Sequence, residues 1–317
     1  MPRVARIASL THSTANDVSL KRDAILCARF SANGDFIATG GRARAFALHN
    51  SRTGALVKTY GGVGAKEIRA LACASSNDAV VTAGGDREIA LWDVATGVAT
   101  RKWVGHVGGA NAVAFAARGG AVVVTGGDDA SVKMWDTRSW NAQAVQSLDA
   151  RSGVAFADAV TSIAIDDERA RASCASVDGS VRTIDIRRGA CDVDEIGAAV
   201  TCVRLSGDRK CALVGCLTSR VGLIDVANGD GLATYRGHVA ETVKTECCFT
   251  NDDAYVIAGS EDGRVVVWDL VTSSVVSEFQ AHGERSAVCA VDYSPRQGDA
   301  RLVTSGADGY AHVWVLE

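Results

Sequence analysis

Three stretches of the sequence decide the fold: GGDREIALWD at 84–93, GDDASVKMWD at 127–136 and SEDGRVVVWD at 260–269. Each stretch begins with small and acidic residues that suit a tight turn, continues with alternating apolar side chains and ends on Trp-Asp. Weaker copies of the pattern are GRARAFALHN at 41–50, SVDGSVRTID at 176–185, LTSRVGLID at 217–225 and GADGYAHVWV at 306–315. Seven copies in one chain indicate an internal structural repeat.

One position in each copy carries tryptophan or its substitute, and neighbouring positions lie 40 to 49 residues apart in the chain. These positions are His49, Trp92, Trp135, Ile184, Ile224, Trp268 and Trp314. Apolar residues stand one and three places before almost all of them, which is the period-2 pattern of a strand packed between neighbours. Short turn sequences such as Asn33-Gly34 separate the strands and leave little room for helices. We therefore predict an all-β fold.

The repeat resembles that of the WD-repeat family, in which about 40–45 residues form one four-stranded blade of a β-propeller. The resemblance implies one seven-bladed propeller over residues 1–317. The last copy reaches Trp314 and leaves too few residues for an outer strand of the seventh blade. We predict that Val4–Leu10 pairs there, closes the ring and removes an exposed sheet edge.

Composition excludes several classes of protein. The 317 residues include 33 basic and 37 acidic side chains, and a net charge of -4 argues against a direct nucleic-acid interface. The sequence has no run of 18 apolar residues, so we predict no membrane span. It also has no N-terminal apolar segment of the kind that a secretory signal needs. We expect a protein of the cytoplasm that also enters the nucleus. Its ten cysteines, without a CxxC motif, are interpreted as free thiols, and we predict no metal and no cofactor.

A set of polar residues recurs at fixed distances before the tryptophan: a histidine about 30 residues before it, a hydroxyl ten before it and an aspartate six before it. In WD-repeat proteins, which this sequence resembles, such residues form a hydrogen-bond network with the indole N–H. The set is complete in blades three and seven, whereas blade six has Ala258 at the hydroxyl position. The predicted network residues are His106, Thr125, Asp129 and Trp135; His238, Asp262 and Trp268; and His282, Thr304, Asp308 and Trp314. Because a catalytic triad occurs once, in a cleft, while this trio recurs, we predict that the protein is not an enzyme and has no small-molecule substrate.

The consecutive stretches GGDREIALWDVATGVATRKWVGH at 84–106, WDTRS at 135–139 and TYRGH at 234–238 resemble the mitogen-activated protein kinase organizers, which are single-propeller scaffolds. The resemblance implies a non-catalytic scaffold that is a monomer within larger complexes. Its partners would be components of the Raf–MEK–extracellular-signal-regulated-kinase cascade or, since the family is also associated with spliceosomes, proteins of pre-mRNA splicing.

Residues that follow the turn aspartates, and residues of the loops before the inner strands, are predicted to face one end of the ring and to bind partners. Arginine and tyrosine are favoured at interface hot spots. The predicted partner-binding residues at this end are Arg87, Glu88, Asn111, Glu241, Lys244, Arg264, Arg285 and Tyr310.

Two D-x-R motifs in adjacent blades support an alternative function. They end on Arg138 and Arg187. The pair resembles the docking box of substrate receptors for cullin-RING ubiquitin ligases, in which each arginine contacts an adaptor. The simpler interpretation is that both arginines stabilise the turn after the third strand of their blades.

Overall fold

The computed structural model describes residues 4–11, 23–62, 64, 66–116, 119–149, 152 and 156–316. Within these residues the strands form seven four-stranded antiparallel sheets. The predicted seven-bladed, all-β propeller is confirmed. In the part of the chain that the structure describes, no helix is long and apolar enough to cross a membrane.

The first three blades follow the chain from inner to outer strand. Blade one contains β2 (Ile25–Phe30), β3 (Phe36–Gly41), β4 (Phe46–Asn50) and β5 (Leu56–Tyr60). Blade two contains β6 (Ile68–Cys73), β7 (Ala79–Gly84), β8 (Glu88–Asp93) and β9 (Ala99–Val104). Blade three contains β10 (Ala110–Ala116), β11 (Val122–Gly127), β12 (Val132–Asp136) and β13 (Gln146–Leu148).

The next three blades repeat this order. Blade four contains β14 (Val160–Asp166), β15 (Arg171–Ser176), β16 (Ser180–Asp185) and β17 (Cys191–Glu195). Blade five contains β18 (Val200–Leu205), β19 (Cys211–Cys216), β20 (Arg220–Asp225) and β21 (Gly231–Arg236). Blade six contains β22 (Cys247–Phe249), β23 (Tyr255–Gly259), β24 (Arg264–Asp269) and β25 (Val275–Gln280).

Blade seven joins the two ends of the chain. It contains β26 (Val288–Tyr293), β27 (Arg301–Gly306), β28 (Ala311–Leu316) and, as its outer strand, β1 (Val4–Leu10). The register runs from Val4 opposite Leu316 to Leu10 opposite Ala311. The predicted closure of the ring by the N-terminal strand is therefore confirmed. The span 1–317 stays a prediction, since residues 1–3 and 317 lie outside the described residues.

Each turn between the second and third strands of a blade needs a left-handed backbone at one position, five residues before the tryptophan position. Glycine meets this need in three blades, for example at Gly263 with φ 85°. Non-glycine residues occupy it in the others, including Arg87 at φ 69° and Ala130 at φ 54°. Because this conformation is costly for a residue with a Cβ, the surrounding turn must hold it in place.

The core consists of apolar layers between neighbouring blades. Trp92 of blade two packs with Phe46 of blade one, and Trp135 of blade three packs with Ile89 of blade two. Successive residues of one strand point to opposite faces of the blade, so they pack alternately against the preceding blade and the following blade, as the period-2 pattern predicts. Cys247 and Cys248 follow the same rule and enter different layers. All ten cysteines lie within the described residues and are free thiols.

The inner strands carry a feature that the repeat pattern does not reveal. In six blades the pairing of the inner strand with its neighbour shifts by one residue near its start, for example between Ala110 and Ala112 and between Val160 and Ser162. Such a bulge leaves one residue without a partner in the ladder of backbone hydrogen bonds and changes the direction of its side chain. Asn111 and Thr161 occupy these positions, and both line a cavity at the inner strands.

Candidate functional site

In blade three, the four predicted polar residues form a continuous chain of hydrogen bonds. The indole Nε1 of Trp135 donates to Thr125 Oγ1 over 2.9 Å, and this oxygen lies 2.8 Å from His106 Nε2. His106 Nδ1 lies 2.9 Å from Asp129 Oδ1. These contacts fit a histidine that donates from Nδ1 to the carboxylate and accepts the hydroxyl proton at Nε2. Both ring nitrogens are therefore engaged within the blade.

The same contacts control the ionisation of the aspartate. Burial opposes the charged form of Asp129, but hydrogen bonds from His106, Ser131 and the backbone N–H of Val107 outweigh burial. They hold the pKa of the Asp129 carboxyl well below its usual range. The carboxylate is thus a fixed acceptor of hydrogen bonds.

Blade seven repeats this geometry. The indole of Trp314 donates to Thr304 Oγ1 over 3.0 Å, and His282 Nε2 lies 3.0 Å from the same oxygen. His282 Nδ1 lies 3.0 Å from Asp308 Oδ1. The second complete set predicted from the sequence is therefore also joined side chain to side chain.

The structure corrects the prediction of a network in blade six. Because Ala258 provides no hydroxyl, the indole of Trp268 donates to the carbonyl oxygen of Arg236 over 2.9 Å. His238 packs edge-on against Trp268 with ring centroids 5.5 Å apart, and its buried Nδ1 has no hydrogen-bond partner among the described residues. Asp262 turns away and accepts from Arg264 Nε over 2.8 Å.

Blade one contains a contact that sequence reasoning missed. His49, at the tryptophan position, places Nε2 3.2 Å from Thr39 Oγ1. Thr39 stands ten residues before His49, the separation used to identify Thr125, so the spacing alone could have found it. In blade two the indole of Trp92 donates to Thr82 over 3.0 Å.

Three of the predicted partner-binding residues are tied to neighbours. Glu88 forms an ion pair with Lys102 at 2.8 Å, and Arg264 forms one with Glu278 at 2.8 Å. The amide Nδ2 of Asn111 donates to Asp128 over 2.6 Å.

Four others have side chains at the surface. Arg87, Glu241 and Arg285 are exposed, and Arg87 stands at the tip of a tight turn. Tyr310 is partly exposed and stacks on the ring of His312 with centroids 5.6 Å apart. Exposed arginine side chains of this kind are available to acidic groups on a partner.

Lys244 does not lie on the end face where it was predicted. Its Nζ donates over 2.7 Å to the carbonyl oxygen of Thr161, which belongs to blade four, whereas Lys244 precedes the inner strand of blade six. Blade five separates the two, so this bond spans the wall of the central channel. The physical reason is the short β22, which leaves Lys244 and Glu246 in the inward-turning segment before it.

The D-x-R arginines occupy equivalent turns in blades three and four. Arg138 is 73% exposed and folds back on Asp136, with Nε 3.0 Å from Oδ1 and Nη2 3.0 Å from Oδ2. Arg187 is also exposed, and its backbone N–H donates to Asp185 Oδ1 over 2.8 Å. The contacts of Arg138 match the simpler interpretation, in which the arginine stabilises its own turn.

An exposed tryptophan lies beside the first of these turns. Trp140 is 83% exposed, and the guanidinium carbon of Arg101 lies 3.7 Å from the centre of its ring. The other five tryptophans, all within the described residues, are buried. Sequence reasoning missed Trp140 because it lies outside the repeat pattern, in the loop that lengthens the spacing between Trp135 and Ile184.

A group of charged residues converges in the central channel, and we call Arg29, Arg204, Lys244 and Glu246 the channel cluster. Arg29 of blade one binds the Glu246 carboxylate with both terminal nitrogens at 2.7 Å. Arg204 Nη2 lies 3.3 Å and Lys244 Nζ 4.0 Å from the same carboxylate. A cavity of about 400 Å³ adjoins all four residues.

Electrostatics in the channel cluster follow from burial and charge. Burial disfavours the ionised form of Glu246, but Arg29 and Arg204 overcome burial and lower its pKa to about 2. Burial lowers the pKa of Lys244, although Glu246 opposes this effect. The cluster is therefore an ion group with a buried carboxylate, surrounded by three cations that are partly buried.

The arrangement offers exposed side chains for binding a partner. The histidines at the recurrent network position in blades three and seven are engaged within the blades. Among the described residues, no group of three or more His, Cys, Asp or Glu side chains could hold a metal ion.

Seven four-stranded sheets around a channel, with tryptophan-to-histidine hydrogen-bond chains in two of them, define the class of WD-repeat β-propellers. Comparisons with known proteins agree with the fold. Residues 41–214 match the family described as nucleolar protein 10-like, N-terminal domain, and residues 229–269 and 273–315 match the WD domain, G-beta repeat. The first match covers more than half of the chain, so the chain belongs to the family that it describes, and the second shows WD repeats in the C-terminal blades.

Individual relatives are similar over part of their length. WD repeat domain-containing protein 83 from Rattus norvegicus is 38% identical over 139 residues, which are 44% of this chain and 42% of that protein. The protein of the same name from Xenopus tropicalis is 33% identical over 177 residues, which are 56% of this chain and 52% of that protein. The chain thus matches about half or less of the length of these curated relatives.

Proposed function

We propose that this protein is a non-catalytic scaffold that assembles components of the Raf–MEK–extracellular-signal-regulated-kinase cascade. The resemblance to the mitogen-activated protein kinase organizers indicates this cascade. The similarity to proteins named WD repeat domain-containing protein 83 supports a WD-repeat scaffold. Bringing two kinases onto one rigid ring would raise their effective concentration without any catalytic contact from the scaffold.

The observation that carries the proposal is the exposed Trp140, which stacks on the half-buried Arg101. Burying a tryptophan side chain on a partner removes a large apolar area from water, and tryptophan and arginine are enriched at interface hot spots. Arg138 lies two residues from Trp140 in the chain and is 73% exposed, so an exposed aromatic ring and an exposed arginine occur in the same loop. Such a surface suits an acidic segment that contains apolar residues.

Binding of purified MEK-type and ERK-type kinases from the same organism to the immobilised protein tests the proposal. We expect Trp140→Ser to weaken binding of at least one kinase by about tenfold or more, as loss of a hot spot does. Val271→Ser is the matched control, because Val271 is 88% exposed on the equivalent turn of blade six. Absence of kinase binding by the wild-type protein would reject the cascade, and equal loss in both variants would reject the site.

Splicing is the other branch of the same scaffold proposal. Purified spliceosomal proteins in the parallel assay distinguish the two branches: their binding without kinase binding would assign the scaffold to pre-mRNA splicing. Trp140→Ser and Val271→Ser serve as before.

The exposure of Arg138 and Arg187 on equivalent turns of adjacent blades favours a second candidate, a substrate receptor of a cullin-RING ubiquitin ligase. The Arg138→Ala/Arg187→Ala double variant tests it against the purified ligase adaptor. Adaptor binding by wild type that is lost in the double variant would support the receptor. Adaptor binding that is absent, or unchanged in the variant, would reject it.

A further inference from the structure

The central channel holds more positive charge than its own structure neutralises. Arg29, Arg204 and Lys244 converge on the carboxylate of Glu246, three cations on one anion. Asp292 of blade seven is a second carboxylate close by, and its Oδ2 accepts the backbone N–H of Phe30 over 2.8 Å. Three cations still outnumber the two carboxylates. Buried charge without a counter-charge is costly, so the channel cluster favours an added anion.

Donors in the channel cluster remain available to such an anion. Both terminal nitrogens of Arg29 are bound to the Glu246 carboxylate. Arg204 is different, because its buried Nε has no hydrogen-bond partner within the described part of the chain. Lys244 has three N–H donors and uses one of them, over 2.7 Å, on the Thr161 carbonyl. Arg204 and Lys244 are thus the residues of the channel cluster whose N–H donors can bind a further acceptor.

Strands β2 and β18 carry Arg29 and Arg204, whereas Lys244 and Glu246 lie in the segment just before β22. The four residues come from blades one, five and six, and the Arg29–Glu246 and Lys244–Thr161 contacts each join blades that are not neighbours. The four side chains therefore meet inside the ring, where contacts reach past an intervening blade. The adjoining cavity of about 400 Å³ is large enough for a small ligand.

We propose that the central channel binds a compact phosphate-type oxyanion through Arg204 and Lys244, beside the Arg29–Glu246 ion pair. A planar guanidinium and a compact ammonium that approach from different blades suit a tetrahedral anion with several acceptor oxygens. The site lies inside the ring, apart from the Trp140 loop, so it would carry a ligand and a protein partner at the same time.

Calorimetric titration with inorganic pyrophosphate tests the proposal, in a buffer whose ionic strength is matched with chloride. We expect saturable binding by the wild-type protein and affinity at least about tenfold weaker in Lys244→Gln, since a charge-assisted contact is lost. Lys102→Gln is the matched control, because Lys102 is exposed on the outer strand of blade two. Absence of pyrophosphate binding, or equal weakening in both lysine variants, would overturn the proposal.

Glu246→Gln separates a binding site from a purely structural ion group. Removing the carboxylate that competes for Arg204 and Lys244 should tighten pyrophosphate binding and make the melting temperature more dependent on pyrophosphate concentration. If the cluster is only structural, Glu246→Gln loses stability and added pyrophosphate does not raise its melting temperature. That result would overturn the proposal, and it can be read even if the other variants fold poorly.

A phosphoserine hexapeptide in a parallel titration distinguishes the source of the anion. Tighter binding of pyrophosphate would indicate a free polyphosphate, and tighter binding of the peptide would indicate phosphate carried on a partner chain. Both results retain the oxyanion site, whereas failure of both ligands to bind overturns it. Kinase binding to the Trp140 loop is measured separately, so failure of the scaffold proposal is distinguishable from failure of this one.

Discussion

Blades six and seven are neighbours that share a histidine, an aspartate and a tryptophan at almost the same spacing, yet only blade seven connects them. Thr304 bridges Trp314 and His282 in blade seven. Ala258 stands at the same position in blade six, and His238, Asp262 and Trp268 separate. One hydroxyl group decides whether three polar side chains form a network.

Both blades nevertheless adopt the same four-stranded sheet. Val265 and Val267 of blade six are fully buried in the layer that they share with blade seven. Burial of apolar side chains between blades is the dominant stabilising term, and a hydrogen bond adds a smaller net amount. The comparison teaches that packing between blades specifies the ring, whereas the polar network adjusts the stability of single blades.

The largest effect should come from removing the strand that completes blade seven. Deletion of residues 1–11 exposes the edge of β28 and removes the Leu10 side chain, which is only 1% exposed and packs in the layer between blades seven and one. We expect a loss of roughly 5 kcal/mol or more and a melting temperature lower by about 10 °C or more. Thermal unfolding followed by circular dichroism measures the change. Ile7→Ser is the control, since Ile7 is 44% exposed on the same strand. An unchanged melting temperature in the deletion variant would reject closure of the ring as a source of stability.

The next effect breaks the network of blade seven without changing side-chain shape. Thr304→Val leaves the Trp314 indole N–H and His282 Nε2 buried and unpaired. Since each orphaned group costs about 1–3 kcal/mol, we expect a loss of roughly 4 kcal/mol in urea unfolding. Thr82→Val in blade two removes the acceptor of one indole only and should cost about half as much. Equal losses in the two variants would show that the histidine contributes nothing.

The contrast between the blades also predicts a dependence on pH. Burial lowers the pKa of His238 to about 4 although Asp262 opposes it, and in the unfolded chain the group titrates near 6.5. Between these values the unfolded state binds more protons, so stability is lost as the pH falls from about 6.5 to about 4, by up to roughly 3 kcal/mol.

His238→Phe should remove this share of the pH dependence and keep an aromatic ring against Trp268. His312 of blade seven contributes a second share of the pH dependence. Burial, together with the nearby His282 and Arg6, lowers the pKa of His312 to about 4. Urea unfolding at several pH values measures the slopes. A His238→Phe variant whose stability falls with acid as steeply as that of the wild type would contradict the assignment.

Much of this architecture could be predicted from the sequence, because the repeat is encoded locally. The alternation before Trp135 and Trp268 fixes the face of each strand, and the distance to the next copy fixes the number of blades. The network of blade three followed from spacing too, since His106, Thr125 and Asp129 occupy fixed places relative to one tryptophan.

The rest depends on contacts that no local pattern contains. Arg29 and Glu246 are separated by most of the chain and meet only because the ring closes. Lys244 turns inward because β22 is short, and Trp140 lies in a loop that interrupts the repeat. In blade six the spacing of His238 and Asp262 was correct, but their bonding depended on a hydroxyl that Ala258 does not supply.

The smallest effect is the attempt to convert blade six into blade seven. Ala258→Ser places a hydroxyl ten residues before Trp268, where it can donate to the unpaired Nδ1 or to Nε2 of His238 after a small ring rotation. We expect a gain of about 1 kcal/mol in urea unfolding, the net worth of one buried hydrogen bond, because the added oxygen is small enough to limit overpacking. Ala258→Cys, similar in size with a weak donor, is the control. If serine and cysteine destabilise the protein equally, space and not hydrogen bonding limits blade six, and the two blades differ in packing as well as in polarity.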